Sequence, residues 1–137
     1  MVPGDDIAVF NFTITQVPGL IKEFCEKVGK APAEYEALVL HQANTMVLKN
    51  VAKRVGMPFE KCPISIDRYG NTSSASIPVT IADKFGRDES GEEIELLTCG
   101  FGIGLSWGAA DFRIAPENIY PIIQTDEKYD DGIDYQD

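Results

Sequence analysis

The chain holds a single imidazole, His41, in the run LVLHQAN at residues 38–44, and a carboxamide, Asn71, in the run DRYGNTSSAS at residues 67–76. A neutral imidazole N–H and a carboxamide N–H₂ can both be aimed at one oxygen. Paired donors of that kind stabilise an oxyanion or enolate as its charge develops, and losing one typically costs about 10²–10³ in rate. A carboxylate could not serve, because it would repel the charge that is forming. The competing explanation is that one histidine set beside Gln42 and Asn44 is a hydrogen-bonded structural residue. A third segment, CGFGIGLSWG at residues 99–108, also has two readings. Its glycines can supply the positive φ angles of a tight hairpin, or they can let a backbone N–H approach a substrate carbonyl. It is not a dinucleotide-binding fingerprint, since no helical pattern follows it.

Cys25, Cys62 and Cys99 are too scattered for metal-ligand spacing, and an odd number of cysteines without a secretory leader argues against a disulfide framework. Three reduced, mostly buried thiols are expected, with no metal and no cofactor. Cys99, just before the glycine-rich segment, raises one more alternative, a thioester hydrolase in which its thiol attacks with His41 as base. With 22 acidic against 12 basic residues in 137, a net charge of −10, the chain lacks the cationic excess that phosphate neutralisation requires, so no nucleic-acid partner is expected. Apolar runs are far below membrane-spanning length, and the protein is expected in the cytoplasm, off the membrane. Seven acids fall in residues 117–137 against Lys128 alone, interleaved with Pro121, Gly132, Tyr120, Tyr129 and Tyr135. This stretch reads as a solvated acidic tail. The alternative is a strap that docks its aromatics on a neighbour.

Apolar periodicity supplies the elements that must position these groups. Ile7, Phe10, Ile14, Val17, Ile21, Phe24 and Val28 recur at steps of three and four, one face of a helix over residues 6–28. Pro18 is expected to kink or divide that helix and Gly29 to end it. Residues 37–40 read as an apolar strand and 43–55 as a second amphipathic helix, with Val47, Val51 and Val55 on one face and Gly56 as its stop. A second short strand is expected at 63–66. Residues 72–85 read as a third helix with hydroxyls at its start, Pro78 in its first turn and Gly86 at its end. A strand at 93–98, a glycine-rich turn at 100–104 and a last strand at 106–114, returning antiparallel, complete the pattern. Alternating helices and strands predict an α/β fold, a mixed sheet with helices on its faces. In this assignment His41, Asn71 and the turn of Gly102, Ile103 and Gly104 each follow the carboxyl end of a strand, the edge where ligands gather in open α/β sheets.

HQAN at residues 41–44, GNTSSAS at 70–76 and the pattern FGxGxxWG at 101–108 together resemble the C-terminal half of the thiolase-superfamily condensing enzymes, most specifically beta-ketoacyl-acyl carrier protein synthase III. The resemblance implies a thiolase-like half-domain over residues 1–115 that lacks its opening strand, followed by the acidic tail at 116–137. It implies an acyltransferase of fatty-acid synthesis. In such enzymes a cysteine of the N-terminal half takes an acyl group from acyl-coenzyme A, malonyl-acyl carrier protein is decarboxylated, and the enolate attacks the acyl thioester. His41 and Asn71 would then hold the malonyl thioester oxygen. The backbone N–H of Ile103 would pair with that of the absent cysteine in a second oxyanion hole, and Phe101, Gly102 and Gly104 would line the site. A complementary N-terminal half as partner, a homo-oligomer, and no condensing activity from the isolated chain are further implications.

Lys49, Lys53 and Arg54 offer a basic face on the second helix for docking a carrier protein, although Met46 stands where carrier-binding relatives tend to have an arginine. A solvated helix side accounts for the same charges. A reading from another class is a non-catalytic subunit that pairs with a cysteine-bearing partner. Retention of both His41 and Asn71 favours the enzyme, since a structural subunit has no need for both donors.

Overall fold

The three-and-four spacing near the start folds as α1, Pro3–Val28, a 26-residue helix in the computed structural model, which describes residues 3–86 and 91–128. Val17, Ile21 and Cys25, one turn apart, are buried on its inner face. The helix runs through Pro18 without dividing. A proline inside a helix costs about 3 kcal/mol or more, from the missing hydrogen bond and the ring clash. Full burial of Val17 and Ile21 on either side contributes about 1.5–3 kcal/mol each, so packing outweighs the break expected from the sequence. At the far end Gly29 N–H and Lys30 N–H donate to the carbonyls of Glu26 and Cys25, the paired bonds of a Schellman stop.

Three strands, β1 (Ala37–Leu40), β2 (Ile94–Gly102) and β3 (Ser106–Ile114), form one sheet in that order. β1 runs parallel to β2, and β2 antiparallel to β3. Between β1 and β2 the chain passes through α2 (Thr45–Val55), the short α3 (Ile66–Tyr69) and α4 (Ser76–Phe85). Successive strand side chains point to opposite faces, and the core divides accordingly. Leu38, Leu40, Leu97, Cys99 and Phe101 pack with α1 and α2, whereas Ala37, Val39, Ile94 and Leu96 pack with Phe85 of α4 and with Ile119. This is the expected α/β arrangement, with helices on both faces and the last strand antiparallel. β1 is buried at every position. β3 is exposed along most of its length, and its outer edge has no neighbouring strand among the described residues. Among those residues, too, no helix is long and apolar enough to cross a membrane.

Several boundaries differ from expectation. Residues 63–66 form no strand: 63–65 are irregular and Ile66 opens α3. The buried side chain of Gln42 takes the hydrogen bonds that a ladder would have supplied. Its Oε1 accepts from Ser65 N–H at 2.9 Å and from Ile66 N–H at 3.3 Å, and its Nε2 donates to Leu40 O at 2.9 Å and to Pro63 O at 3.5 Å. α4 begins at Ser76 rather than at 72, after a single 3₁₀ turn, Ser73–Ala75, because Ser73 at φ +56° interrupts a right-handed helix. β2 continues through Gly102, so the glycine-rich turn shrinks to residues 103–105.

Beyond β3 the chain stays on the body at first, with Pro116 and Ile119 buried. Pro121 lies so close to Gly86 that a Cβ there would come within 2.6 Å of Pro121 Cα, so Gly86 is needed for its missing side chain. Tyr120 is exposed. Residues 129–137 of the acidic segment, with Tyr129, Gly132 and Tyr135, lie outside the described residues.

Candidate active site

His41 is the first residue past β1, and its backbone adds one more rung to the ladder, its N–H donating to Cys99 O at 3.1 Å. The ring meets Phe101 edge-on, with 5.4 Å between centroids at an angle of 88°. Its Nδ1 lies 2.8 Å from Ser76 Oγ. Burial lowers the His41 pKa, while a hydrogen bond to the Ser73 backbone works against that shift, so the ring is neutral at neutral pH.

Asn71 is set by the turn before it. Gly70 leaves α3 at φ 71°, ψ −166°, a combination essentially restricted to glycine. Asn71 Oδ1 then accepts from Ser73 N–H at 2.9 Å, an Asx turn that leaves the NH₂ as the unengaged end of the carboxamide. Asn71 therefore follows a short helix and not the strand expected from the sequence.

These groups meet in a cleft of about 1110 Å³ between the start of α1, the end of β1, the segment leading into α4 and the β2–β3 hairpin. His41, Asn71, Phe101, Gly102 and Ile103 all line it. Phe101 is 8 % exposed, so it serves the core and the cleft wall together. Gly104 stands at the hairpin tip outside the lining, and Lys49, Lys53 and Arg54 lie exposed on α2 away from it. Lys49 sits over the Phe59 ring, 5.6 Å from its centroid. Phe10 and Thr13 of α1, Val47 of α2 and Ser76 of α4 also form the wall, and sequence reasoning assigned none of them to it. Phe10 belongs to the apolar face of α1, but periodicity does not say that this face extends past the sheet to border an opening. No charged side chain lines the cleft among the described residues.

Cys99 does not act with His41. It is fully buried and absent from the cleft wall, and burial pushes its thiol up to about 12, which withholds the thiolate that nucleophilic attack requires. Cys25 and Cys62 are likewise free and buried. The cleft offers two neutral side-chain ends in an apolar surround, an arrangement suited to holding an oxygen on which negative charge develops.

The family described as 3-Oxoacyl-[acyl-carrier-protein (ACP)] synthase III C terminal matches residues 25–114. Beta-ketoacyl-[acyl-carrier-protein] synthase III of Thermosynechococcus vestitus is 44% identical over 107 residues, 77% of this chain and 32% of that protein. Beta-ketoacyl-[acyl-carrier-protein] synthase III 2 of Deinococcus radiodurans is 39% identical over 105 residues, 77% of this chain and 31% of that one. Among solved structures, 3-oxoacyl-(acyl-carrier protein) synthase from Burkholderia xenovorans LB400 matches with a TM-score of 0.80 at 40% identity, covering 86% of this chain and 34% of the other. The chain thus spans about a third of the length of the curated relatives it matches.

Proposed function

Because the chain belongs to the 3-oxoacyl-[acyl-carrier-protein] synthase III C-terminal family, we propose that it is the C-terminal portion of a ketoacyl synthase that condenses an acyl thioester with malonyl-acyl carrier protein in fatty-acid synthesis. One observation carries this reading: the His41 ring and the Asn71 carboxamide share one cleft that, among the described residues, no charged side chain lines. In the decarboxylation step the bond between the malonyl carboxylate and its α-carbon breaks, carbon dioxide leaves, and the electron pair spreads onto the thioester oxygen. Two neutral donors at that oxygen hold the enolate more tightly than the ground-state carbonyl, which is the condition for accelerating the step.

The enolate carbon then attacks the acyl carbonyl held on a cysteine of the complementary N-terminal half, and the cysteine thiolate departs. The N–H of Ile103 stands opposite that cysteine as one arm of the second oxyanion hole, with Phe101 and Gly102 beside it. Acyl-coenzyme A supplies the acyl group. Lys49, Lys53 and Arg54 form the docking face for the carrier protein. The working enzyme is a cytoplasmic homo-oligomer in which residues 1–115 complete a thiolase-like domain and 116–137 form an acidic appendage.

In a full-length enzyme containing this sequence, His41→Ala and Asn71→Ala are each expected to lower malonyl decarboxylation by about 10²–10³ and to leave acylation of the cysteine, followed by mass spectrometry, unchanged. Loss of acylation with normal decarboxylation would reverse the assignment. Absence of decarboxylation in the unmodified full-length protein would favour a non-catalytic subunit. The isolated chain, without the nucleophile, is expected to show no condensation.

A further inference from the structure

We propose that Ser76 is a positioning residue whose hydroxyl donates to His41 Nδ1 and so holds the imidazole as the tautomer with its proton on Nε2, facing the cleft. The inference rests on the proposed role of His41 as a donor, and it names what makes that role available. A neutral imidazole has one N–H, and only the nitrogen that carries it can donate. Enzymes commonly fix the choice with a carboxylate or backbone carbonyl that accepts from one ring nitrogen. Here no carboxylate lines the cleft among the described residues, and the group 2.8 Å from Nδ1 is a hydroxyl.

The surroundings of that hydroxyl decide its direction. Ser76 is 1% exposed, and its Oγ accepts from Gln42 N–H at 3.3 Å. A backbone N–H can only donate, so this bond occupies a lone pair and leaves the hydroxyl hydrogen to be placed. Nδ1 is the acceptor within reach. The same burial and the same Gln42 bond argue against Ser76 as a nucleophile. The groups against the ring are Phe101 at its edge and the Ser73 backbone. The Ser73 backbone is the one contact that opposes the assignment, because it favours a protonated ring. Ser76 also stands at the first position of α4, so its hydroxyl is carried on a rigid element and not on the preceding loop.

Because His41 is the only histidine, a long-range proton–nitrogen correlation spectrum of the 137-residue chain reports its tautomer without assignment. At a pH above the ring's titration, the Nε2-protonated form is expected to dominate by about fivefold, as one net hydrogen bond would give. Ser76→Ala is expected to remove most of that preference and to move the ring's titration midpoint upward, whereas Ser76→Thr, which keeps the hydroxyl, restores both. A wild-type spectrum dominated by the Nδ1-protonated form overturns the proposal whether or not any variant folds. So does an unchanged tautomer ratio in a folded Ser76→Ala chain. The measurement needs no substrate, so it stands apart from the condensing activity. In a full-length enzyme, slow decarboxylation with the Nε2-protonated form intact would count against the functional reading and leave this one in place.

Discussion

Protonating His41 disfavours the folded state, because burial lowers its pKa below the ordinary value of about 6.5. The stability contributed by the neutral ring is complete above that ordinary value and is lost as pH falls through the depressed folded value. Urea unfolding between about pH 8 and 5 should register this loss, and His41→Gln, which does not titrate, should flatten that part of the profile. An unaltered profile would locate the dependence elsewhere. The three buried thiols are expected to resist alkylation in the folded chain and to react together once denaturant is added, as counted by mass spectrometry; fast native labelling of Cys99 would contradict its burial. His41 and Asn71 stood out in the sequence as candidate donors because the chain holds one imidazole and the two lie in the runs HQAN and GNTSSAS, and the structure brings both to one cleft. Cys99 was harder to place. Ending the strand at 98 puts it in a turn, whereas the observed register pairs it with Leu40 and aims it beneath α1 and α2. Ser76 was hidden by a helix start placed four residues early, which made it one hydroxyl among several available as a cap.

Gln42 shows how one side chain can replace part of a sheet. Its amide makes one hydrogen bond back to Leu40 of β1 and three to residues 63–66, and it has no exposed surface. In Gln42→Leu the volume is kept but two backbone N–H groups lose their acceptor. At about 1–3 kcal/mol for each buried unsatisfied group, a total of about 2–6 kcal/mol is expected in urea unfolding. A loss under about 1 kcal/mol would mean that water substitutes for the amide. The bounds of β3 match the expected 106–114, since the signals that mark it are local, whereas the turn before it is shorter than expected because β2 runs on through Gly102. Residues 63–66 carry the composition of a strand, yet whether a strand forms depends on what occupies the neighbouring edge, and Gln42 occupies it. The helix is not divided at Pro18 for a related reason, because the proline's local cost is set against burial that only the assembled sheet provides.

For the whole molecule, the outer edge of β3 is the least finished surface. Nine residues of strand lie open there, with Trp107 47% and Phe112 39% exposed, and Trp107 touching Phe12 of α1 at 5.2 Å. Open edges template further strands, and a net charge of −10 opposes indiscriminate clumping more than it opposes pairing with a matched strand. Light scattering at micromolar concentration is expected to show self-association of the chain, relieved when the complementary half is supplied; a stable monomer would contradict this. β2 also fixes an order of events. It meets β3 across a three-residue loop and β1 across the 53 residues of chain between Leu40 and Ile94. Hairpins form in about 1–10 μs, while joining distant strands waits on the closure of the long loop between them. His41 and Asn71 both lie at or within that loop. The hairpin wall of the cleft should therefore exist before either donor reaches it, and pulse-labelled hydrogen exchange during refolding should protect the β2–β3 amides ahead of the His41 N–H. On the way out, the same topology would make the donor pair the earliest casualty of heat or denaturant, lost while half of its pocket still stands.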